Sequence, residues 1–263
     1  MSEEVPTLLR DGELIVEGRL VAASNATLLC RLDAGAAAGE VVRCVYKPVA
    51  GERPLWDFPD GTLAAREMAA YLVSEAARWH VVPATILRDG PFGPGMCQLW
   101  IDQDGTDLVG VVPTDAVPEG WLRVLDAVDG AGNPVALVHA DDARLRRMAL
   151  FDLVVNNADR KGGHILVDAG GDVLGVDHGV CFHGEPKLRT VLWGWAGVPL
   201  ADHEQATLTH LVGQLRGELG DRLAELLAPG EVDATRDRVA GLLAAGHFPR
   251  QSPERRPIPW PPF

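Results

Sequence analysis

Asp159, His164 and Asp177 stand at spacings that suit the transfer of a phosphoryl group. They lie in two stretches, Asn156-Asn157-Ala158-Asp159-Arg160-Lys161-Gly162-Gly163-His164 and Gly175-Val176-Asp177-His178-Gly179-Val180. Such a transfer needs a carboxylate beside the accepting hydroxyl and ligands that hold a metal ion on the phosphates. An Asp, four intervening residues, a metal ligand and then Asp-x-Gly meets that need. Asp159, His164 and Asp177-His178-Gly179 occupy this order, with Asp159 as base and His164 and Asp177 as metal ligands. Lys161, two residues after Asp159, is a cation placed to neutralise the transferring group.

Plainer readings exist for each residue. Asp159 could be a turn carboxylate, and His164 a core histidine satisfied by backbone. Asp177, between apolar strand residues and a glycine, needs a partner in any reading. Further upstream, Lys47 closes an apolar strand and Glu67 lies on the helix that follows. Paired, they would hold the lysine against phosphates; otherwise they are unrelated surface charges. Glu75 is a rival partner two helical turns further on. Ser24 and Asn25 could donate to phosphates from a hairpin tip, or form an ordinary polar turn. The segment Gln98-Leu99-Trp100-Ile101 would offer backbone groups to adenine, with Trp100 alternatively a core residue. Trp193-Gly194-Trp195 could line an acceptor site or belong to the core.

These residues need particular elements to position them. Glu13–Leu20, Ala26–Leu32 and Val41–Lys47 read as strands, the first two flanking Ala23-Ser24-Asn25 and the last stopped by Pro48. Asp33–Gly39 is a Gly/Ala-rich connection. Thr62 can cap a helix to about Trp79, with Leu63, Met68, Tyr71, Leu72 and Ala76 at helical spacing. Val81–Leu87 and Gly95–Ile101 are two more strands around a turn-rich connection. Residues 102–140 mix short strands with Pro and Gly breaks. Asp141–Asn156 reads as a helix capped by Asp141, with Leu145, Met148, Ala149 and Leu153 as its apolar stripe. Ile165–Asp168 and Val173–Val176 form a hairpin around Ala169-Gly170-Gly171-Asp172. Helices are expected at about His203–Leu219, Asp221–Leu227 and Asp233–Ala245, and the Pro-rich tail, 249–263, should run extended over the surface.

Asn157-Ala158-Asp159-Arg160 followed by Gly175-Val176-Asp177-His178-Gly179-Val180-Cys181-Phe182 resembles the catalytic and metal loops of type II phosphatidylinositol 4-kinases. Arg66-Glu67, Ala70-Tyr71-Leu72-Val73 and Val82-Pro83-Ala84-Thr85 resemble their helix-strand segment. More closely, the chain resembles an actinobacterial phosphatidylinositol-3/4-kinase-like family of unassigned substrate, with HipA-type kinases more distant; the likeness spans roughly residues 14–195. It implies an α+β, two-lobed protein-kinase-like fold in one domain, 1–263. A small β-rich N-lobe would cover about 1–100 and a mainly helical C-lobe about 101–263. It also implies ATP and Mg²⁺ or Mn²⁺ as cofactors, and an unidentified protein or small-molecule hydroxyl as acceptor. Two departures stand out: His164 replaces the usual amide ligand, and the region around Ser24 lacks G-x-G-x-x-G. They support an alternative, a pseudokinase that binds nucleotide or acts as a scaffold without turnover.

Composition narrows the remaining classes. The 263 residues carry a net charge of −13, which repels nucleic-acid backbones and anionic lipid. Only Arg144–Arg147 and Arg250–Arg256 hint at local basic patches. No apolar run approaches the roughly 20 residues of a membrane span, and Met1–Gly12 lacks a signal pattern. Cys30, Cys44, Cys97 and Cys181 sit in apolar stretches without C-x-x-C spacing, as buried free thiols of a cytoplasmic protein do. A third class, a metal hydrolase using His139, Asp141, His164, Asp177 and His178, lacks a compact ligand motif such as H-E-x-x-H.

Overall fold

A computed structural model describes residues 4–20, 25–33, 41–58 and 62–263. Strands β1 (Glu13–Arg19), β2 (Leu28–Asp33), β3 (Val42–Pro48), β4 (Thr85–Gly90) and β5 (Gly93–Leu99) form an antiparallel sheet in the order β1-β2-β3-β5-β4. In β3 the period-2 alternation of a strand sets Cys44 and Tyr46 on one face and Val45 and Lys47 on the other. Leu9 of helix α1 (Glu4–Asp11) packs on the first face with Cys30, Cys44, Tyr46 and Cys97. Helix α2 (Leu63–Ala76) lies on the Lys47 side. Its start is fixed by Thr62, whose side chain accepts from Ala65 N, and by Glu52, whose carboxylate accepts from Leu63 and Ala64 N–H.

Pro48 is the last residue of β3, as expected. It pairs with Gly95 on β5, and β2 reaches only as far as Tyr46, so the missing proline N–H loses no ladder bond on that side. The α1 helix was not expected at all. The connection 34–40 and Ser24 lie outside the described residues.

After β5 the chain forms a second antiparallel sheet from β6 (Val109–Pro113), β7 (Trp121–Val128) and β8 (Pro134–Ala140), in the order β6-β8-β7. Helix α3 (Ala143–Val155) follows. Asp142 rather than Asp141 caps it, accepting from Arg144 N at 2.7 Å, while Asp141 accepts from Trp195 Nε1 at 2.9 Å. The short hairpin of β9 (Ile165–Val167) and β10 (Val173–Gly175) comes next. Helices α4 (Asp202–Leu215), α5 (Glu218–Ala224) and α6 (Pro229–Ala245) complete the chain's regular structure. A proline at the first helical position, where its missing N–H has no intrahelical partner, explains why α6 begins a turn before the expected Asp233.

The main core gathers Ala69 and Val73 of α2, Met148 and Phe151 of α3, and Val167, Phe182, Leu208 and Val239. Four thiols are buried and free. Among the described residues no helix is long and apolar enough to cross a membrane. The tail does not simply lie on the surface. Thr190 N–H and Trp193 Nε1 both donate to Pro257 O, and Gly162 N–H donates to Pro262 O at 2.8 Å. Phe263 covers Gly162 so closely that a Cβ there would run into its ring.

Candidate active site

The loop that leaves α3 is anchored from below. Asn156, in the left-handed region at φ 53°, ends the helix, and asparagine tolerates that conformation better than most residues. Its side-chain amide donates to the carbonyls of His183 and Glu185, and its oxygen accepts from Lys187 N–H. Asn157 then turns the loop: its Nδ2 donates to Asp152 Oδ1 at 3.0 Å, and its Oδ1 accepts from Asp159 N–H at 3.0 Å. Asp152 and Arg160 are both fully buried and joined at 2.9 Å. Arg160 also donates to the carbonyls of Val176 and His164 and to His178 Nε2. Asp152 further accepts from Thr190 Oγ1. A buried ion pair is stable only with such surrounding hydrogen bonds. This one clamps the Asp159 loop to the end of β10, and a Cβ on Gly175 would strike Arg160 and Met148.

Sequence reasoning assigned no role to Asp152 or Arg160. A signal was present, because Asp152 falls four residues after Met148, on the apolar side of α3, where a carboxylate demands a partner.

Lys47, Glu67 and Asp177 converge from β3, α2 and the segment after β10. Lys47 Nζ donates to Glu67 Oε1 at 2.6 Å and to Asp177 Oδ1 at 2.8 Å. Burial opposes the charge on Lys47, but the two carboxylates outweigh it and raise its pKa. Lys47 in turn holds the Asp177 carboxyl well below the usual range. Asp177 sits at φ 62° with its side chain 52% exposed, so it opens toward solvent. Glu67 is 1% exposed and accepts a second bond from His178 N–H at 2.9 Å. Glu75, the rival, instead meets His80 at 3.0 Å.

His164 turns Nε2 toward Asp177 Oδ2 at 3.6 Å, and its buried Nδ1 has no hydrogen-bond partner. Burial pushes its pKa down to about 4, which leaves a neutral ring with a lone pair to give. Asp159 stands beside Lys161, whose Nζ is 3.3 Å from Oδ2. Burial raises the Asp159 pKa, with Lys161 opposing. Among the described residues no three His, Cys, Asp or Glu cluster to hold a metal ion by themselves. For a divalent cation, Asp177 and His164 would be the residues to offer an oxygen and a neutral nitrogen.

The remaining expected residues make bonds of their own. Asn25 Oδ1 accepts from Arg53 N–H at 2.9 Å, so it ties the loop after β3. Gln98 is buried in the middle of the sheet and donates to Thr85 Oγ1. The N–H of Leu99 bonds Ala84 O and that of Trp100 bonds Arg43 O, so neither N–H is free for a base. Trp195 is buried on Asp141, and Trp193 holds the tail. His139 bonds the Ala140 carbonyl and accepts from Gly194 N–H. Of the five residues of the hydrolase reading, only His164 and Asp177 face one another, whereas His139 and Asp141 are bonded to Ala140, Gly194 and Trp195, and His178 to Arg160.

No family model matches the chain. Solved structures with a similar fold include the Golgi casein kinase with Mn/ADP bound, at TM-score 0.57 and 11% identity, covering 96% of this chain and 80% of that one. A second structure of the Golgi casein kinase gives 0.56 and 11%, over 92% and 73%. Hydra Fam20 with sugar gives 0.53 and 13%, over 92% and 86%. The fold is thus kinase-like, a mixed α/β arrangement with a β-rich sheet region followed by helices. At the level of sequence, the chain belongs to the family of Protein Rv2133c of Mycobacterium tuberculosis. The two are 52% identical over 273 residues, covering 100% of this chain and 97% of that protein.

Proposed function

We propose that the protein is a phosphotransferase that moves the γ-phosphoryl of ATP to a hydroxyl on a protein or small polar acceptor. The observation that carries this is the contact of Lys47 with both Glu67 and Asp177, three residues brought from distant parts of the chain. We divide the molecule into a phosphatidylinositol-3/4-kinase-like N-lobe of about 1–100 and C-lobe of about 101–263, with nucleotide between them. Lys47 binds the phosphates, and Glu67 orients Lys47. Asp177 and His164 hold Mg²⁺ or Mn²⁺, which when bound supplies charge neutralisation at the phosphates. Asp159 takes the proton of the acceptor hydroxyl. Its raised pKa strengthens it as a base. Lys161 balances charge on the transferring group.

Calorimetry with ATP and Mg²⁺ or Mn²⁺, together with a radiolabelled-ATP phosphorylation screen of lysate, tests the reading. Asp159→Asn should cut turnover by about 10²–10⁴-fold, the usual share of a positioned acid–base group, and leave ATP affinity nearly unchanged. Wild-type protein without nucleotide affinity would sink the proposal. The pseudokinase reading has its own support, since Lys47 and Asp177 satisfy one another and His164 stands where an amide is usual. ATP binding without any acceptor labelled would favour it.

A further inference from the structure

We infer that a second cavity, at the end of α3 away from the Asp159 loop, binds a small organic phosphate. The cavity has a volume of about 520 Å³ and lies between the turn after α2, the first half of α3 and the first half of α4. That size falls within the range of roughly 300–1,000 Å³ typical of small-molecule sites.

Its ionisable lining is Arg78, Arg146, Arg147, His203, Glu204 and His210. The chain as a whole has 37 Asp and Glu against 24 Lys and Arg, so a lining this basic runs against the composition. The single carboxylate, Glu204, is committed: both its oxygens meet Arg146 at 2.8 Å, and it also accepts from Ala201 N–H. On the adjoining segments Glu75 meets His80 and Asp142 meets Arg144, while Asp202 in the first turn of α4 makes no ion pair among the described residues. Among the described residues, Arg78, Arg147, His203 and His210 have no carboxylate within ion-pair distance; Arg147 has only a long 3.5 Å contact to Trp79 O.

Arg78 and Arg147 are exposed and have no carboxylate partner among the described residues, so both guanidinium groups can turn to an anion. Arg78 adds a second observation. It follows the C-cap of α2 at φ 55°, where glycine is the unstrained residue. The α2 macrodipole favours a cation there, but it gives no reason for Arg147, His203 and His210 to line the same space.

Guanidinium forks match phosphate oxygens in pairs. One wall is apolar, built from Ala77, Trp79 and Leu150. The ligand class is therefore a phosphate monoester with a compact apolar or aromatic body. Trp79 and Leu150 would contact the body, while Arg78 and Arg147 take the phosphoryl oxygens.

Phenyl phosphate is the probe, titrated by calorimetry at constant ionic strength beside inorganic phosphate and benzyl alcohol. Phenyl phosphate should bind wild type more tightly than either control. Arg78→Gly and Arg147→Gln should each weaken it at least about 10-fold, the lower end for losing a hydrogen bond to a charged group. Arg78→Gly relaxes the backbone at φ 55°, so its loss of binding cannot be ascribed to unfolding. Binding no tighter than benzyl alcohol, or undiminished binding in both arginine variants, would each overturn the assignment.

Discussion

Replacing Lys47 by methionine keeps the side chain's length and removes its charge, and the structure ranks the consequences. Lys47 meets two carboxylates at nearly equal distance, 2.6 Å to Glu67 and 2.8 Å to Asp177. Distance alone would weight them alike. Exposure separates them, because Glu67 is 1% exposed and Asp177 is 52% exposed. Without Lys47, Asp177 regains water, so its ion pair is worth the exposed-pair value of about 0–1 kcal/mol. Glu67 cannot regain water and retains the N–H of His178 as a donor. Removing one partner of a buried pair costs about 3–5 kcal/mol; the retained bond puts Lys47→Met near the lower end, about 3 kcal/mol. For a chain of this size that lowers Tm by about 6–12 °C. Urea denaturation of two double-mutant cycles reads this directly. Lys47→Met with Glu67→Gln should show a coupling of about 2 kcal/mol or more, and Lys47→Met with Asp177→Asn less than about 1 kcal/mol. Equal couplings, or a larger one for Asp177, would refute the ranking by exposure.

Other outcomes follow from the same geometry. Imidazole nitrogen suits Mn²⁺ better than Mg²⁺, so turnover should be higher with Mn²⁺, and His164→Asn should move the preference toward Mg²⁺; equal preference in both proteins would take His164 off the metal. His139 is fully buried and burial lowers its pKa, so folding opposes its protonation. The unfolded chain binds that proton from about pH 6.5 downward while the folded chain resists it, so stability should fall as pH drops below about 6.5. His139→Gln should lose less stability than wild type between pH 7 and pH 5.5 in urea titrations, with His178, also held neutral by burial, sustaining part of the fall. Gly162→Ala should lower Tm by pushing a Cβ into the Phe263 ring, and adding Phe263→Ala should restore most of the loss.

Local pattern carried a good part of this molecule. Alternation through Cys44, Val45, Tyr46 and Lys47 put the lysine on the face that α2 covers, and helical spacing in α2 placed Glu67 within its reach. The stretch 102–140 resisted because Pro113, Pro118, Gly120 and Pro134 interrupt it, although β8 is a regular strand between two partners. α1 is eight residues long, too short for a periodicity argument. Helix ends were misplaced where two candidates adjoined, as with Asp141 and Asp142. The Asp152–Arg160 pair and the seat of Phe263 on Gly162 depend on which distant residues meet, and no local rule reports that. Backbone hydrogen bonding likewise decided against free N–H groups at Leu99 and Trp100.

The contact of Pro262 and Phe263 with Gly162 also bears on the order of assembly. It closes a loop of about a hundred residues, an entropic cost met only once the intervening helices have already drawn the ends together. The contact therefore belongs on the native side of the folding barrier. Weakening it should leave the rate of folding nearly untouched and hasten unfolding instead. The loop bearing Asp159 would then be among the first parts of the native protein to open, and how long it stays closed would be set by the aromatic ring at position 263.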